Sequence, residues 1–322
     1  MRLLNTSYRF WLVLFIGVIL LPLGCSKDDG PEGPLSDTEG VVDEDNPERI
    51  AAKQLYQSLY VTSTTQNADP SWSGNFDDCN AGQTADLTRH KILQRVSYYR
   101  NMVGLENTIT ENTQKSSIAQ QTAYLMAANN RLDHNPGSDW KCYSEDGKTG
   151  AGNSLLTTAH NAEAVDAYIR DRGANNGPVG HRRWLLFPRL TEIGIGNTSQ
   201  SNALWVLGNY GPVPDNAPEF IAWPPKGYVP SHLVFERWSF SVAQADFSEA
   251  QVKVTNARNQ EFALTVEELV DGFGDPTIVF IPQDLETDIT GDIPYTVTIS
   301  NVQVNGETKE YSYTVTLFNV NE

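Results

Sequence analysis

Thiols and imidazoles, the most versatile side chains for covalent and ligating chemistry, are few in this sequence: three cysteines and five histidines in 322 residues. Cys25 stands apart, closing an apolar run directly after Gly24. Cys79 and Cys142 remain as an even pair, and neither has a His or a second Cys at metal-ligand spacing. Outside the cytosol such a pair is expected as a disulfide, whose long closed loop contributes about 2 to 4 kcal/mol. The chain has no Gly-x-Ser-x-Gly elbow, no His-Glu-x-x-His, no Walker loop and no dinucleotide Gly-rich turn. His90 within one helix and His160 beside another read as surface or capping residues, and His232 precedes a strand far downstream. That leaves His134 and His181. Arg182 and Arg183, next to the latter, would either meet an anionic group or pair with nearby Asp and Glu; in so acidic a chain, pairing is the expectation.

The first residues read as an export leader. Arg2 and Arg9 precede an apolar stretch from Phe10 to Leu23, interrupted only by Gly17 and Pro22 and shorter than the roughly 20 residues a spanning helix needs. Its end, Leu21-Pro22-Leu23-Gly24-Cys25, resembles the lipobox of bacterial lipoproteins. The resemblance implies removal of residues 1–24 as a signal peptide and a lipid, diacylglycerol with palmitate-type acyl chains, on Cys25. Each buried methylene then contributes about 0.8 kcal/mol to membrane attachment. Positions 26–48 hold nine acidic residues against one Lys and three Pro, so residues 25–48 are expected to be a disordered acidic tether. Ser26-Lys27-Asp28-Asp29 resembles the acidic sorting signal of surface lipoproteins, which places the chain on the outer membrane or cell surface, facing the exterior or the periplasm. Loss of the leader removes two Arg and no acid, moving the formal charge from −17 to −19. That excludes nucleic acid as a partner, since phosphate binding needs a basic footprint.

The elements that must position the histidines follow from periodicity. Ile92, Val96, Tyr99 and Val103 lie on one helical face, with Gly104 as a C-cap. A second helix is predicted over 112–130 and a third from about Asn161, burying Ala164, Val165, Tyr168 and Ile169 until Gly173 stops it. Two short strands, 192–196 and 203–207, complete an α/β/α layered region.

Leu132-Asp133-His134-Asn135 after an Ala-rich helix, Gly180-His181, Gly194-Ile195-Gly196 and Asn209-Tyr210-Gly211-Pro212 occur in an order and spacing that resemble the CAP superfamily of cysteine-rich secretory, antigen-five and pathogenesis-related proteins. The resemblance covers about residues 84–215. It implies a cleft in which His134 and His181 match the two family histidines and Asp171 falls where the second Glu would be, one methylene shorter. The first Glu normally sits in Gly-Glu-Asn, but this chain reads Ala151-Gly152-Asn153. His134, His181 and Asp171 would still make a minimal Zn²⁺ site, with Asn153, Arg182 and Glu192 as further cleft residues. Asp171 and Glu192 could also form a carboxylate pair of the kind used on glycosides. No cofactor other than such a zinc is implied.

After residue 220 the pattern becomes that of strands: Trp238, Phe240 and Val242, then Val252 and Val254, then Phe262, Leu264 and Val266, then 277–281. Tyr295 to Val304 and Tyr311 to Leu317 flank Asn305-Gly306, a two-residue hairpin turn. These spacings suggest an immunoglobulin-like β-sandwich. The acids Asp284, Glu286, Asp288 and Asp292 lack the spacing of a calcium loop and read as a solvated turn.

The reading is an α+β chain: signal peptide 1–24, tether 25–48, CAP-like domain 49–217 and β-sandwich domain 218–322. It would be tethered to a membrane and would recognise an extracellular lipid, glycan or protein, rather than catalyse. The rival readings are a zinc-assisted hydrolase of an envelope or extracellular polymer, and a structural surface protein. Cys25→Ala should abolish incorporation of labelled fatty acid and move the protein from the membrane fraction to the soluble one. A variant that stays membrane-bound, with an unlabelled wild type, would refute the anchor.

Overall fold

The computed structural model describes residues 40–106, 109–208 and 210–322; the leader with Cys25, most of the acidic tether, and Asn209 of the Asn-Tyr-x-Pro string lie outside them. Composition alone puts residues 40–48 in the tether, yet they are paired. Gly40 N donates to the Thr290 carbonyl, Val41 bridges Asp292, and Asp43 N donates to the Asp292 carboxylate. Asn46 then caps a helix that composition does not announce, α1 (Pro47–Leu55), which runs on into a π-helical turn over Tyr56–Val61. The buried Arg49–Asp292 pair, at 3.0 Å, is what holds this acidic stretch down.

The periodic helices appear as α2 (Asp86–Met102), α3 (Thr113–Asn129) and α5 (Glu163–Arg170), with the shorter α4 (Glu145–Ala151) and α6 (Gly180–Leu185) between and after them. Asn112 caps α3 by accepting from the backbone of Gln114 and Lys115. A small sheet of β1 (Thr110–Glu111), β2 (Ser154–Thr157), β3 (Glu192–Asn197) and β4 (Asn202–Trp205) has the order β1-β3-β4-β2, with β1 parallel to β3. One face carries Ile193, Ile195 and Leu204 into a core with Ile92 and Val96 of α2 and Val165 and Ile169 of α5. The other meets Ala119 and Ala123 of α3 through Ala203 and Leu156. Gly194 and Gly196 explain how close that second contact is: a Cβ on Gly194 would lie 2.5 Å from the Lys115 backbone, and one on Gly196 would lie 2.0 Å from the Ala119 carbonyl oxygen. Alternation on β3 thus gives one face to isoleucines and the other to glycines, so α3 lies directly on the strand backbone. The expected Cys79–Cys142 disulfide is formed, with Cα atoms 5.3 Å apart.

Two further sheets follow. The first has the order β10 (Leu264–Val266), β11 (Thr277–Pro282), β7 (Trp238–Ser241), β5 (Ile221–Trp223). The second runs β6 (Gly227–Pro230), β13 (Glu307–Phe318), β12 (Asp292–Val304), β8 (Ala245–Asp246), with β9 (Gln251–Asn256) also paired to β12. Strand β6 is parallel to β13 and the other pairs are antiparallel. Their apolar faces meet: Phe240 of β7 lies 5.2 Å from the Tyr311 ring of β13, and Trp238 lies 6.5 Å from Tyr295 of β12. Asn305 and Gly306 both take positive φ, as the tight hairpin between β12 and β13 requires. Ile221, Trp223, Leu233 and Phe235, from the start of this region, belong instead to the core beneath α2 and α5.

Gly196→Ala should cost at least the roughly 1–3 kcal/mol typical of overpacking, because the atom it would strike is backbone. Urea unfolding reads this directly, and a variant within about 0.5 kcal/mol of wild type would show that α3 can slide away from β3 at little cost.

Candidate functional site

Helix α5 ends at Asp171, which takes a left-handed conformation (φ 50°) that Asp tolerates better than most residues. Periodicity puts the stop at Gly173, but the turn comes two residues earlier. Reversal there aims the Asp171 side chain inward, fully buried, at the start of α6. Oδ1 accepts from His181 Nδ1 at 2.7 Å, and Oδ2 accepts from the His181 backbone N–H at 2.9 Å and that of Arg182 at 3.4 Å. A carboxylate can only accept, so Nδ1 of His181 carries a proton, and in the neutral ring Nε2 is the acceptor. His134, exposed in the turn beyond α3, is arranged alike: its Nδ1 donates to the Ala151 carbonyl at 2.8 Å.

Both imidazoles line one cavity of about 450 Å³, together with Gly152, Trp184, Leu207 and Phe273. Phe273 comes from a loop some 90 residues downstream of His181, and nothing in the sequence ties it to the histidines. The flanking Gly272 and Gly274, both at positive φ, were the one available sign of a special turn. Gly180 leaves room for it, since a Cβ there would come within 2.7 Å of the Phe273 ring. Ser154 also lines the cavity, and its buried hydroxyl finds no partner among the described residues.

The remaining expected cleft residues are placed differently. Asp171 stands behind His181 with both oxygens committed, so it positions the imidazole and does not face the cavity. Glu192 starts β3 and is held by Lys115 at 3.0 Å and by the Asn112 amide, which keep its carboxyl below the usual range. Neither Asp171 nor Glu192 is in the wall of the cavity that the two imidazoles line. Asn153 donates its amide to the Thr149 carbonyl and accepts Val206 and Leu207 N–H groups on its own carbonyl, so it latches the loop after β4. Arg182 is buried and pairs with no acid among the described residues. It donates to the Ile169 carbonyl at 2.6 Å, the Arg237 carbonyl at 2.8 Å and Ser239 Oγ at 3.0 Å. Burial pushes its pKa down to about 9, against the pull of Asp171, which still leaves it charged at neutral pH. Arg183 donates to the Val270 and Asp275 carbonyls and lies over the Phe273 ring, so it pins the loop that closes the cavity. His90 and His160 lie apart from the cavity, neither of them in its wall.

Among the described residues no three His, Cys, Asp or Glu side chains are grouped to hold a metal ion. Two imidazoles line one cavity, but a catalytic zinc takes three protein ligands. Gly152, where the resemblance would put a Glu, has an ordinary helical conformation, and a Cβ there would make only van der Waals contacts, the nearest with the His134 carbonyl oxygen at 3.6 Å.

Residues 93–210 match the CAP family, described as the cysteine-rich secretory protein family. A CAP-superfamily domain occupies this segment. His134, Asp171 and His181 all fall inside the CAP domain, whereas Phe273 does not. Two crystal structures of PcoC, a methionine-rich copper resistance protein from Escherichia coli, one of them the selenomethionine form, are similar over 30% of this chain and 92% and 94% of theirs, at 16% identity and a TM-score of 0.22. That likeness is too slight to bear on fold or function. No curated protein matches the chain.

Asp171→Ala would leave the His181 Nδ1 and two backbone N–H groups without their acceptor, each costing about 1–3 kcal/mol if it stays dry. Chemical denaturation should show a loss of at least about 2 kcal/mol, with Asp171→Asn losing less because it keeps an acceptor and tolerates the left-handed turn. Equal stability of Asp171→Ala and wild type would mean that the carboxylate does not organise the cleft.

Proposed function

We propose that this chain is a lipid-anchored, surface-exposed recognition protein whose CAP domain binds an extracellular ligand in the cavity between His134 and His181. The observation that carries the reading is the pairing of two fixed imidazole acceptors with apolar walls from Trp184, Leu207 and Phe273. Such a pocket suits a ligand with an apolar body and a hydroxyl or amide donor, a lipid or glycan before a protein. Ser154, the one hydroxyl in the described cavity wall, is hydrogen-bonded to neither imidazole, so no nucleophile–base pair is formed there, which favours binding over catalysis. Placement outside the cytoplasm rests on the Cys25 sequence, on the disulfide and on the family's extracellular habit. Among the described residues no helix is long and apolar enough to cross a membrane.

The region after residue 218 is a second domain in this reading, an immunoglobulin-like sandwich acting as spacer. Its support is the strand order, with the first segment split so that β5 edges one sheet and β6 joins the other in parallel. Phe273 gives it a share in the cavity.

A zinc-assisted hydrolase is the second reading, favoured by the two imidazoles in one cavity wall. One set of measurements separates the two. The purified chain, screened against lipids and neutral glycans, should bind a ligand that His181→Ala and Phe273→Ala each weaken by at least about tenfold, a margin of roughly 1.4 kcal/mol. Zinc titration should give no submicromolar site in the wild type, and Gly152→Glu should tighten zinc by at least about tenfold by restoring a carboxylate. Submicromolar one-to-one zinc that disappears in both His134→Ala and His181→Ala would overturn recognition in favour of the metal enzyme.

A further inference from the structure

A second cavity, of about 550 Å³, adjoins the first at His181 and Asn176. It extends beyond the CAP segment, because Tyr60, His232, Leu233 and Phe235 form part of its wall. Two acids and two arginines line it, and their states differ. Glu163 is satisfied by the Thr65 backbone N–H at 3.0 Å and the Thr65 hydroxyl at 2.7 Å. Asp166 accepts from the Tyr99 hydroxyl at 2.7 Å, the Tyr60 hydroxyl at 3.2 Å and the buried Arg95 guanidinium.

Arg170 and Arg172 have no such partners among the described residues. Arg49, Arg95 and Arg237 each hold a carboxylate, and Arg100, Arg182 and Arg183 hold backbone carbonyls. The guanidiniums of Arg170 and Arg172 do neither, although the chain carries 40 acidic residues against 23 basic ones. Both are exposed, and both line this cavity and a smaller one of about 280 Å³ beside it. Arg170 is steadied without spending its charge, its guanidinium carbon 4.9 Å over the Phe235 ring. A cation in the last turn of α5 answers the helix dipole, but that accounts for Arg170 alone. The cavity's two acids thus have their hydrogen-bond donors, Asp166 from Arg95 and the tyrosines and Glu163 from Thr65, while its two guanidiniums have no acceptor among the described residues.

We propose that Arg170 and Arg172 form an anion-recognition site that takes the phosphate or carboxylate of a ligand of sugar-phosphate size seated in this cavity. Planar guanidinium forks suit both groups and bind them through paired, charge-assisted hydrogen bonds. The site uses neither His134 nor Phe273, so it stands or falls apart from the recognition reading above.

Calorimetric titration of the full chain with inorganic phosphate, glucose 6-phosphate, glucuronate and glucose tests it, beside vesicles of phosphatidylglycerol and of phosphatidylcholine. At least one soluble anion should bind, with glucose at least about tenfold weaker, and raising the salt should weaken binding. Phosphate-selective or carboxylate-selective binding names the group. Arg170→Gln and Arg172→Gln should each weaken it by about fivefold or more and the double variant should remove it, whereas Lys253→Gln, on a distant strand, should change nothing. Gln retains much of the Arg170 stem over Phe235, and an unchanged unfolding midpoint certifies the fold. The proposal is overturned if no soluble anion binds, if only the anionic vesicles do, or if the double variant binds like wild type.

Discussion

A carboxylate shut away from water must be met by donors, and Asp171 meets three of them at the point where α5 ends and α6 begins. The same residue reverses the chain, orients His181, and gives its own carbonyl to Arg237 Nη1 at 3.2 Å. Turn, imidazole tautomer and the junction to the first C-terminal strands therefore depend on one side chain. The loss of any of these contacts would strand buried polar groups, which is why the arrangement is rigid enough to present a defined imidazole to the cavity.

Arginines extend that framework in an unusual way for so acidic a chain. Arg100, Arg182 and Arg183 are buried and spend their donors on backbone carbonyls: Leu185 and Phe187, Ile169 and Arg237, Val270 and Asp275. Carbonyls at helix ends and in loops need donors when buried, and a guanidinium supplies several from one position. The result is that segments distant in sequence are fastened around the cleft by side-chain-to-backbone bonds, leaving most of the acids to solvent. Phe273 reaches the cavity because Arg183 secures its loop on both sides.

The chemistry open to the cleft follows from this wiring. Each histidine has one nitrogen committed and one available, so the pair can accept hydrogen bonds or share an electrophile. Asp171 cannot join them, since its oxygens are occupied, and Gly152 has no side chain to offer. Two imidazoles with apolar walls fall short of the three protein ligands that a catalytic zinc takes, since no third His, Cys, Asp or Glu is grouped with them among the described residues.

Local rules in the sequence determined a good deal of this molecule. Apolar periodicity marked α2, α3 and α5 because each buries one face, alternation marked β3, β7, β12 and β13, and Asn305-Gly306 announced its hairpin because few other residues adopt two successive positive φ angles. The disulfide followed from the even cysteine pair, and the two histidines from motif order within the CAP segment. Tertiary structure decided the rest. Whether Asp171 faces the cavity or stands behind His181 depends on a left-handed turn that composition does not encode, and Arg182 reads as a partner for nearby acids until the fold gives it backbone carbonyls instead. Glu192 has Lys115 beside it only because α3 lies against β3. Residues 40–48 read as tether because local composition cannot register a partner, Asp292, that lies more than 240 positions away. Long-range polar pairing carries no periodicity, so it becomes visible only when the chain is folded.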